Sequence, residues 1–510
     1  KIMTNQNENK VSRRSFLGTV ATAAAGLTIV PNYVVAGLGH KAPSDKLNIV
    51  GVGIGGMGFG NLRRMESENI IGLCDVDWKY ASKTLEHFPK ARKFKDWRKM
   101  YDEMGKDFDA VVVATADHTH AAIASHAIAM GKHVYVQKPL THSVYESRLL
   151  TNLAKKYKVA TSMGNQGSSG EGVNLIVEWL TNGEIGEVTK VEAFTDRPIW
   201  PQGLNTPEQG QWVPDTLDWD LFVGPAKMRP YNEIYHPWNW RGWWDYGTGA
   251  LGDMACHILH PVFVGLELKY PIHAQGSSSL LLNDCAPVSQ AVKLTFPART
   301  PKRSWKGMKR SEQLPQVDVH WFDGGIKWDL PEGWPADKNP NDRGGGVIFH
   351  GTKDKLICGC YGVNPWLLSG RVPNAPKLRR RIEKETGQNY NEGAHELDWI
   401  RACKESPENR VPTASDFSEA GPFNEMVTMG VLAVRLQSLN KVLDWNGEKM
   451  AFTNLTDKET IRTVIKDGFV INDGHPTFKK TWTEPISAKE FAAELIKHTY
   501  RKPWDLPDMP

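Results

Sequence analysis

Between residues 45 and 165, short apolar runs recur at regular spacing and alternate with longer stretches of helical periodicity. Leu47–Val52, Asn69–Cys74, Ala110–Ala114, His133–Val136 and Ala160–Met163 read as strands. Phe59–Met65, Tyr80–His87 and Thr119–Met130 carry helical patterns between them. Such alternation predicts a parallel sheet covered by helices. After about residue 165 the pattern changes. Gly172–Asn182 reads as a helix, and Val188–Asp196, Ser289–Phe296 and Val317–Trp321 as strands of an open, mostly antiparallel sheet. Pro297–Gln316 and Pro331–Gly346 lack periodicity, and loops of that length usually serve function or subunit contacts. Asn391–Cys403 and Phe417–Leu439 are expected to be helices. From Lys441 little periodicity is visible until a helix near Ser487–His498. The expected fold class is α/β with two domains: a dinucleotide-binding domain over 45–165 and an α+β substrate and oligomerisation domain over 166–440. A tail over 441–510 is expected to pack on both.

The N-terminus has a different pattern. An apolar stretch from Phe16 to Val30 is rich in Ala and Gly and ends at Pro31, so it does not read as a membrane span. Ser12-Arg13-Arg14-Ser15-Phe16-Leu17 stands before it, and Val34-Val35-Ala36 offers small residues for cleavage. This order predicts a twin-arginine export signal over 1–36 and a periplasmic protein, although Gly18 stands where such signals often carry Lys. No other run is long and apolar enough to span a bilayer. The net charge of +4 over 510 residues falls to about +1 once Lys1, Lys10, Arg13, Arg14 and Glu8 are set aside, which gives no reason to expect a nucleic-acid partner. Cys74, Cys256, Cys285, Cys358, Cys360 and Cys403 match no zinc or redox spacing and read as buried thiols.

Gly53-Ile54-Gly55-Gly56-Met57-Gly58 follows the first expected strand and precedes a helical stretch, the context that turns a glycine pattern into a dinucleotide cradle. Gly53 permits the tight turn, Gly55 a close approach of backbone to pyrophosphate, and Gly58 contact of helix on strand. The helix N-terminus offers its unpaired N–H groups to phosphates. Asp75 ends the second strand, 22 residues after Gly53, where an acid accepts from ribose hydroxyls and repels a 2′-phosphate, so NAD is favoured over NADP. Asp77 reads as a solvated turn residue.

Two further clusters add chemistry. One is Thr119-His120 with Gly131-Lys132-His133-Val134-Tyr135-Val136-Gln137-Lys138-Pro139-Leu140, and the other is Gly249-Ala250-Leu251-Gly252-Asp253-Met254-Ala255-Cys256-His257. With the glycine turn, they resemble the family of glucose–fructose oxidoreductase, inositol dehydrogenase and rhizopine-catabolism protein (Gfo/Idh/MocA) over roughly residues 45–440. The resemblance implies a Rossmann domain, a lysine beside the nicotinamide at Lys138, and a cis bond between Lys138 and Pro139. Gln137 departs from the family's usual Glu, and the lost charge is expected to ease deprotonation of Lys138. Asp253 and His257 match the family's Asp-x-x-x-His pair and, four apart, share one helix face. His257 is the expected general base and acid, and Asp253 orients it or binds a substrate hydroxyl. Thr115, Asp117, His118 and His120 fall in the loop after the third strand, and Gln166 after the fifth, where the family contacts its cofactor; turn or cap roles stay open for them. The expected cofactor contacts are Gly53, Gly55, Gly56, Met57, Gly58, Asp75, Thr115, His118, His120, Gln137, Lys138 and Gln166.

His236-Pro237-Trp238-Asn239-Trp240-Arg241-Gly242-Trp243-Trp244-Asp245-Tyr246 leads into the second cluster. His236, Trp238, Trp240, Arg241 and Trp243 are therefore expected to line a sugar site, with a packed loop and an Arg241–Asp245 ion pair as the alternative. No metal site is expected. These readings point to an NAD-dependent oxidoreductase acting on a sugar or glycoside hydroxyl. Because free NAD is scarce outside the cytosol, its cofactor is expected to be tightly bound. Redox-neutral glycoside cleavage through a keto intermediate, and a non-catalytic sugar-binding protein, stay as alternatives. The expected partners are a carbohydrate and further copies of the chain in a homo-oligomer.

Overall fold

A computed structural model describes residues 45–304, 307–326, 328–375 and 394–510. The expected export signal over 1–36, and the start of the helix expected at Asn391, lie outside the described residues. Six strands make the first sheet: β1 (Asn48–Val52), β2 (Asn69–Cys74), β3 (Arg92–Phe94), β4 (Ala110–Val113), β5 (His133–Val136) and β6 (Thr161–Met163). All pairs are parallel, in the order β3-β2-β1-β4-β5-β6. A parallel sheet is covered on both faces, which is why central strands such as Ala110–Val113 are apolar at every position and fully buried. The strand order reverses between β1 and β4, and ligands of such sheets bind at that crevice, outside the carboxyl ends of the strands. β3 is too short and polar to be expected from pattern. It is an edge strand, held by backbone pairing of Gly72–Cys74 with Arg92–Phe94.

The second sheet has nine strands: β7 (Val188–Thr195), β8 (His273–Ser278), β9 (Gln290–Phe296), β10 (Val317–Phe322), β11 (Gly345–Gly351), β12 (Lys355–Gly359), β13 (Trp366–Leu367), β14 (Leu443–Asn446) and β15 (Ala451–Phe452). Only β7 and β10 pair in parallel, so the sheet is mostly antiparallel. The buried helix Gly249–Ile258 and the long helix Phe417–Arg435 lie together, and the latter covers β8 and β9. Phe417–Arg435 also packs on the helix Val144–Tyr157 of the first sheet, where Arg148 and Glu425 form an ion pair at 2.8 Å. That helix thereby packs against elements of both sheets. Sequence pattern missed the hairpin Val464–Asn472/His475–Trp482, because nearly all its side chains are exposed on both faces and no alternation marks it. All six cysteines are buried and unbridged.

Candidate active site

A groove open to solvent, with about 1080 Å³ of empty space, runs along the carboxyl ends of β1, β2, β4 and β5. Its floor is the glycine turn. Gly53 has φ +74°, a left-handed conformation costly for any residue with a Cβ, and a Cβ on Gly58 would stand 2.1 Å from the Gly53 carbonyl oxygen. The helix Gly56–Arg64 begins without a side-chain cap and without an acid in its first turn, so its N-terminal N–H groups are left for an anion. Asp75 is buried beside this turn. Its Oδ2 accepts from Ile54 N at 2.9 Å and Gly55 N at 3.2 Å, and its Oδ1 from Asp77 N at 3.0 Å. Burial raises its pKa and these N–H donors oppose the rise. A carboxylate offers about four acceptor positions, so the three N–H groups leave room for one more donor. The uncapped helix start and close-packed turn fit a dinucleotide pyrophosphate.

At the other end of the groove stands Lys138, after β5 and before a cis peptide bond to Pro139. Its ammonium lies 2.8 Å from Asp253 Oδ1 and donates to the Asp253 carbonyl at 3.0 Å. Its third N–H has no partner among the described residues. Arg241 donates from Nε to the same Asp253 oxygen at 3.2 Å, and its guanidinium lies 3.8 Å from the Trp238 ring centre and 4.3 Å from that of Trp240. Burial opposes ionisation of Asp253, but Lys138 and Arg241 overcome it and hold the carboxyl at about 2. One helical turn on, His257 is buried and its Nδ1 has no hydrogen-bond partner. Burial, then the Lys138 charge, lowers its pKa to about 3, so the imidazole is neutral. Asp117 completes the cluster. Its Oδ2 accepts from Thr248 Oγ1 at 2.9 Å, and Oδ1 is buried without a partner. Burial and the neighbouring Asp253 raise its pKa to about 7.

Gly53, Gly55, Gly56, Met57, Asp75, Thr115, His118, Gln137, Lys138, His236, Trp238, Trp240 and Arg241 all line the groove, whereas Gly58 lies beneath the turn. Several expectations need correction. Trp243 is completely buried with its Nε1 donating to the Ile234 carbonyl, because its ring fills the core behind the segment 234–246. His120 does not line the groove; its ring nitrogens lie 2.8 Å from the Pro139 carbonyl and 3.0 Å from that of Thr115, tying the β4 and β5 loops together. Gln166 is buried beside Tyr135. Asp77 is not solvated but buried, with Oδ2 3.0 Å from His236 Nε2. Burial opposes its ionisation, yet the His236 contact prevails and holds it at about 2. Arg241 pairs with Asp253, and Asp245 pairs with Arg229 instead. Gln137 does remove an acid from the position before Lys138, but its Nε2 donates to Asn61 Oδ1 and Asp253 supplies the carboxylate beside Lys138. Among the described residues no group of three or more His, Cys, Asp or Glu is arranged to hold a metal, and no helix is long and apolar enough to cross a membrane.

Sequence reading missed Tyr361. It has φ +66°, uncommon for an aromatic residue, and its ring centre lies 4.5 Å from that of His257. It follows β12, more than 100 residues from His257, and no local signal links the two. Asp117 was within reach as a loop acid after β4, but its burial was not.

A model of the oxidoreductase family's NAD-binding Rossmann fold matches residues 46–165, and one of that family's C-terminal alpha/beta domain matches residues 178–296. A glycosyl hydrolase family 109 protein of Shewanella pealeana is 24% identical over 228 residues, covering 40% of this chain and 50% of that protein. The levoglucosan dehydrogenase of Pseudarthrobacter phenanthrenivorans is 24% identical over 187 residues, covering 37% of this chain and 40% of that enzyme. The chain thus spans about half the length of the curated relatives it matches. In fold, the WlbA dehydrogenase of Bordetella pertussis, solved in complex with NADH and UDP-GlcNAcA, aligns with a TM-score of 0.51 at 14% identity, covering 79% of this chain and 99% of that one. With both domain models matched in order, and with the six-stranded parallel sheet followed by the mixed one, residues 46–165 and 178–296 form the two domains of the Gfo/Idh/MocA oxidoreductase family.

Proposed function

We propose that this protein is an NAD-dependent oxidoreductase acting on a sugar or glycoside hydroxyl, with Lys138 and His257 as its proton-handling groups and Asp253 holding Lys138 in place. The observation that carries this reading is the Lys138 ammonium at one end of the groove, fixed by two acceptors of Asp253 and keeping a third N–H. A bound NAD would supply the hydride acceptor for the carbon that carries the hydroxyl. The Lys138 ammonium lowers the cost of negative charge on the hydroxyl oxygen. His257, neutral at working pH, takes the hydroxyl proton at Nε2. Asp253 anchors Lys138 and Arg241 and is a positioning group for both. Trp238, Trp240, Arg241 and His236 form the sugar side, an indole face offering apolar contact to a ring. Asp75 disfavours a 2′-phosphate, which supports NAD over NADP. The arginine pair and apolar run at the N-terminus support export to the periplasm with cofactor already bound. The hairpin exposes Phe469, Ile471 and Phe478, an apolar surface suited to association of copies into an oligomer.

Redox-neutral cleavage of a glycoside is the second reading, favoured by the likeness to a glycosyl hydrolase family 109 protein. One experiment separates the two. Protein isolated from the periplasmic fraction is tested for released NAD and for mass above one chain, then given a panel of sugars and aryl glycosides. NADH formation with a sugar is the expected result. Aglycone release without net NADH selects cleavage, and cofactor-free protein inert to the whole panel and to added NAD overturns both.

A further inference from the structure

The C-terminal residues have no part in the chemistry above, yet one of them, Trp504, lines the same groove. After the helix Ala488–Ile496 the chain runs back over the first sheet as a strap. Tyr500 is anchored by its hydroxyl, which donates to Glu146 Oε1 at 2.7 Å. Arg501 is anchored by its backbone N on the Pro225 carbonyl at 2.8 Å, Nε on the Gly224 carbonyl at 3.1 Å and Nη1 on Asp220 Oδ1 at 2.8 Å. Trp504 N then donates to the Arg501 carbonyl at 3.0 Å, turning the indole inward, where it is buried.

Three observations tell which end of the groove this is. Trp504 stands beside Trp97, with ring centres 6.2 Å apart, and under the Arg98 guanidinium at 4.4 Å. Trp97 and Lys95 follow β3, which lies beyond β2 on the side of the sheet away from β4 and β5. In this topology the acid ending β2 faces the ribose of the adenosine half, so the carboxyl end of β3 lies on the adenine side. The Trp97 Nε1–H is buried and has no partner, although this indole lines the groove. A buried indole donor without an acceptor calls for a ligand that supplies one, and an adenine ring offers both aromatic faces and nitrogen acceptors.

We propose that the strap over residues 499–506 is the adenine-side wall of the dinucleotide groove, with Trp504 and Trp97 as its contact residues, and that it retains the cofactor. The inference rests on the NAD reading above and adds to it a cause for slow release. In an exported enzyme, as proposed above, an element of this kind slows the loss of a cofactor that is scarce outside the cytosol.

The test is release of NADH from the full-length protein, followed by energy transfer from tryptophan to NADH after a chase with excess NAD. Trp504→Ala is expected to release NADH about tenfold faster or more, the loss of one aromatic–base contact, and Trp504→Phe to restore most of the retention. Arg501→Ala keeps the indole but loosens the strap, and is expected to speed release as well; it carries the test if Trp504→Ala does not fold. Release at the wild-type rate from folded Trp504→Ala, or from Arg501→Ala when Trp504→Ala is unfolded, overturns the strap inference alone. Failure of the wild-type protein to bind NADH overturns the NAD reading and the inference with it.

Discussion

The glycine turn and Lys138 line one groove and are positioned by opposite means. At the turn, geometry is local: Gly53 and Gly58 approach so closely that a Cβ would strike the backbone, and the helix start is left uncapped for phosphates. At the other end nothing is local. Lys138 meets Asp253 from 115 residues away, and Asp117 meets Thr248 from 131 residues away. On the function proposed above, backbone shape governs cofactor binding and buried charge governs chemistry. The two properties are expected to separate on mutation.

The largest effect is expected from Lys138→Met, which keeps the stem and removes the charge. Turnover should fall by about 10²–10⁴-fold, while NADH affinity, read by fluorescence titration, should stay within a few-fold. Equal loss of both would show that the two ends of the groove are not separable. Gly58→Ala should do the reverse. Its methyl group meets a carbonyl that cannot retreat without opening the turn, which costs about 1–3 kcal/mol. Cofactor affinity should drop about tenfold or more, with turnover at saturating NAD largely preserved.

Asp117→Asn sharpens the electrostatic side. The folded state raises this carboxyl from an ordinary 3.8 to about 7, chiefly by burial. The folded protein therefore holds the proton more tightly than the unfolded chain. The resulting stability is fully present below the ordinary value and is lost as pH rises through about 7. The variant cannot ionise there and should gain stability relative to wild type between about pH 5 and about pH 8, by about 1 kcal/mol or more. Melting curves at the two pH values check the sign. The rate profile of the variant should also lose an inflection near neutrality.

Much of the fold was legible because its elements are strongly patterned. β2 and β5 were read to the residue and β1 and β4 to within one, since inner strands of a parallel sheet are covered on both faces and are mostly apolar; the edge strand β6 was also read to within one. β3 and the hairpin Val464–Asn472/His475–Trp482 were not legible, because an edge strand and an exposed hairpin owe their pairing to backbone hydrogen bonds, with no buried face to write a period. Among the candidate site residues, motif spacing singled out Lys138, Asp253 and His257, which the structure brings close together. It misplaced Trp243 and His120, whose residue types suit a ligand site and a core equally well.

By itself the sequence determined the class of sheet, the glycine turn and the identity of the charged groups, because these depend on contacts within a few residues or on a two- or 3.6-residue period. Tertiary structure alone decided which carboxylate neutralises Lys138, that Asp117 is buried, that Tyr361 lies against His257 and that Trp504 reaches the groove. Burial and long-range pairing depend on how distant segments meet, and that meeting leaves no local pattern along the chain.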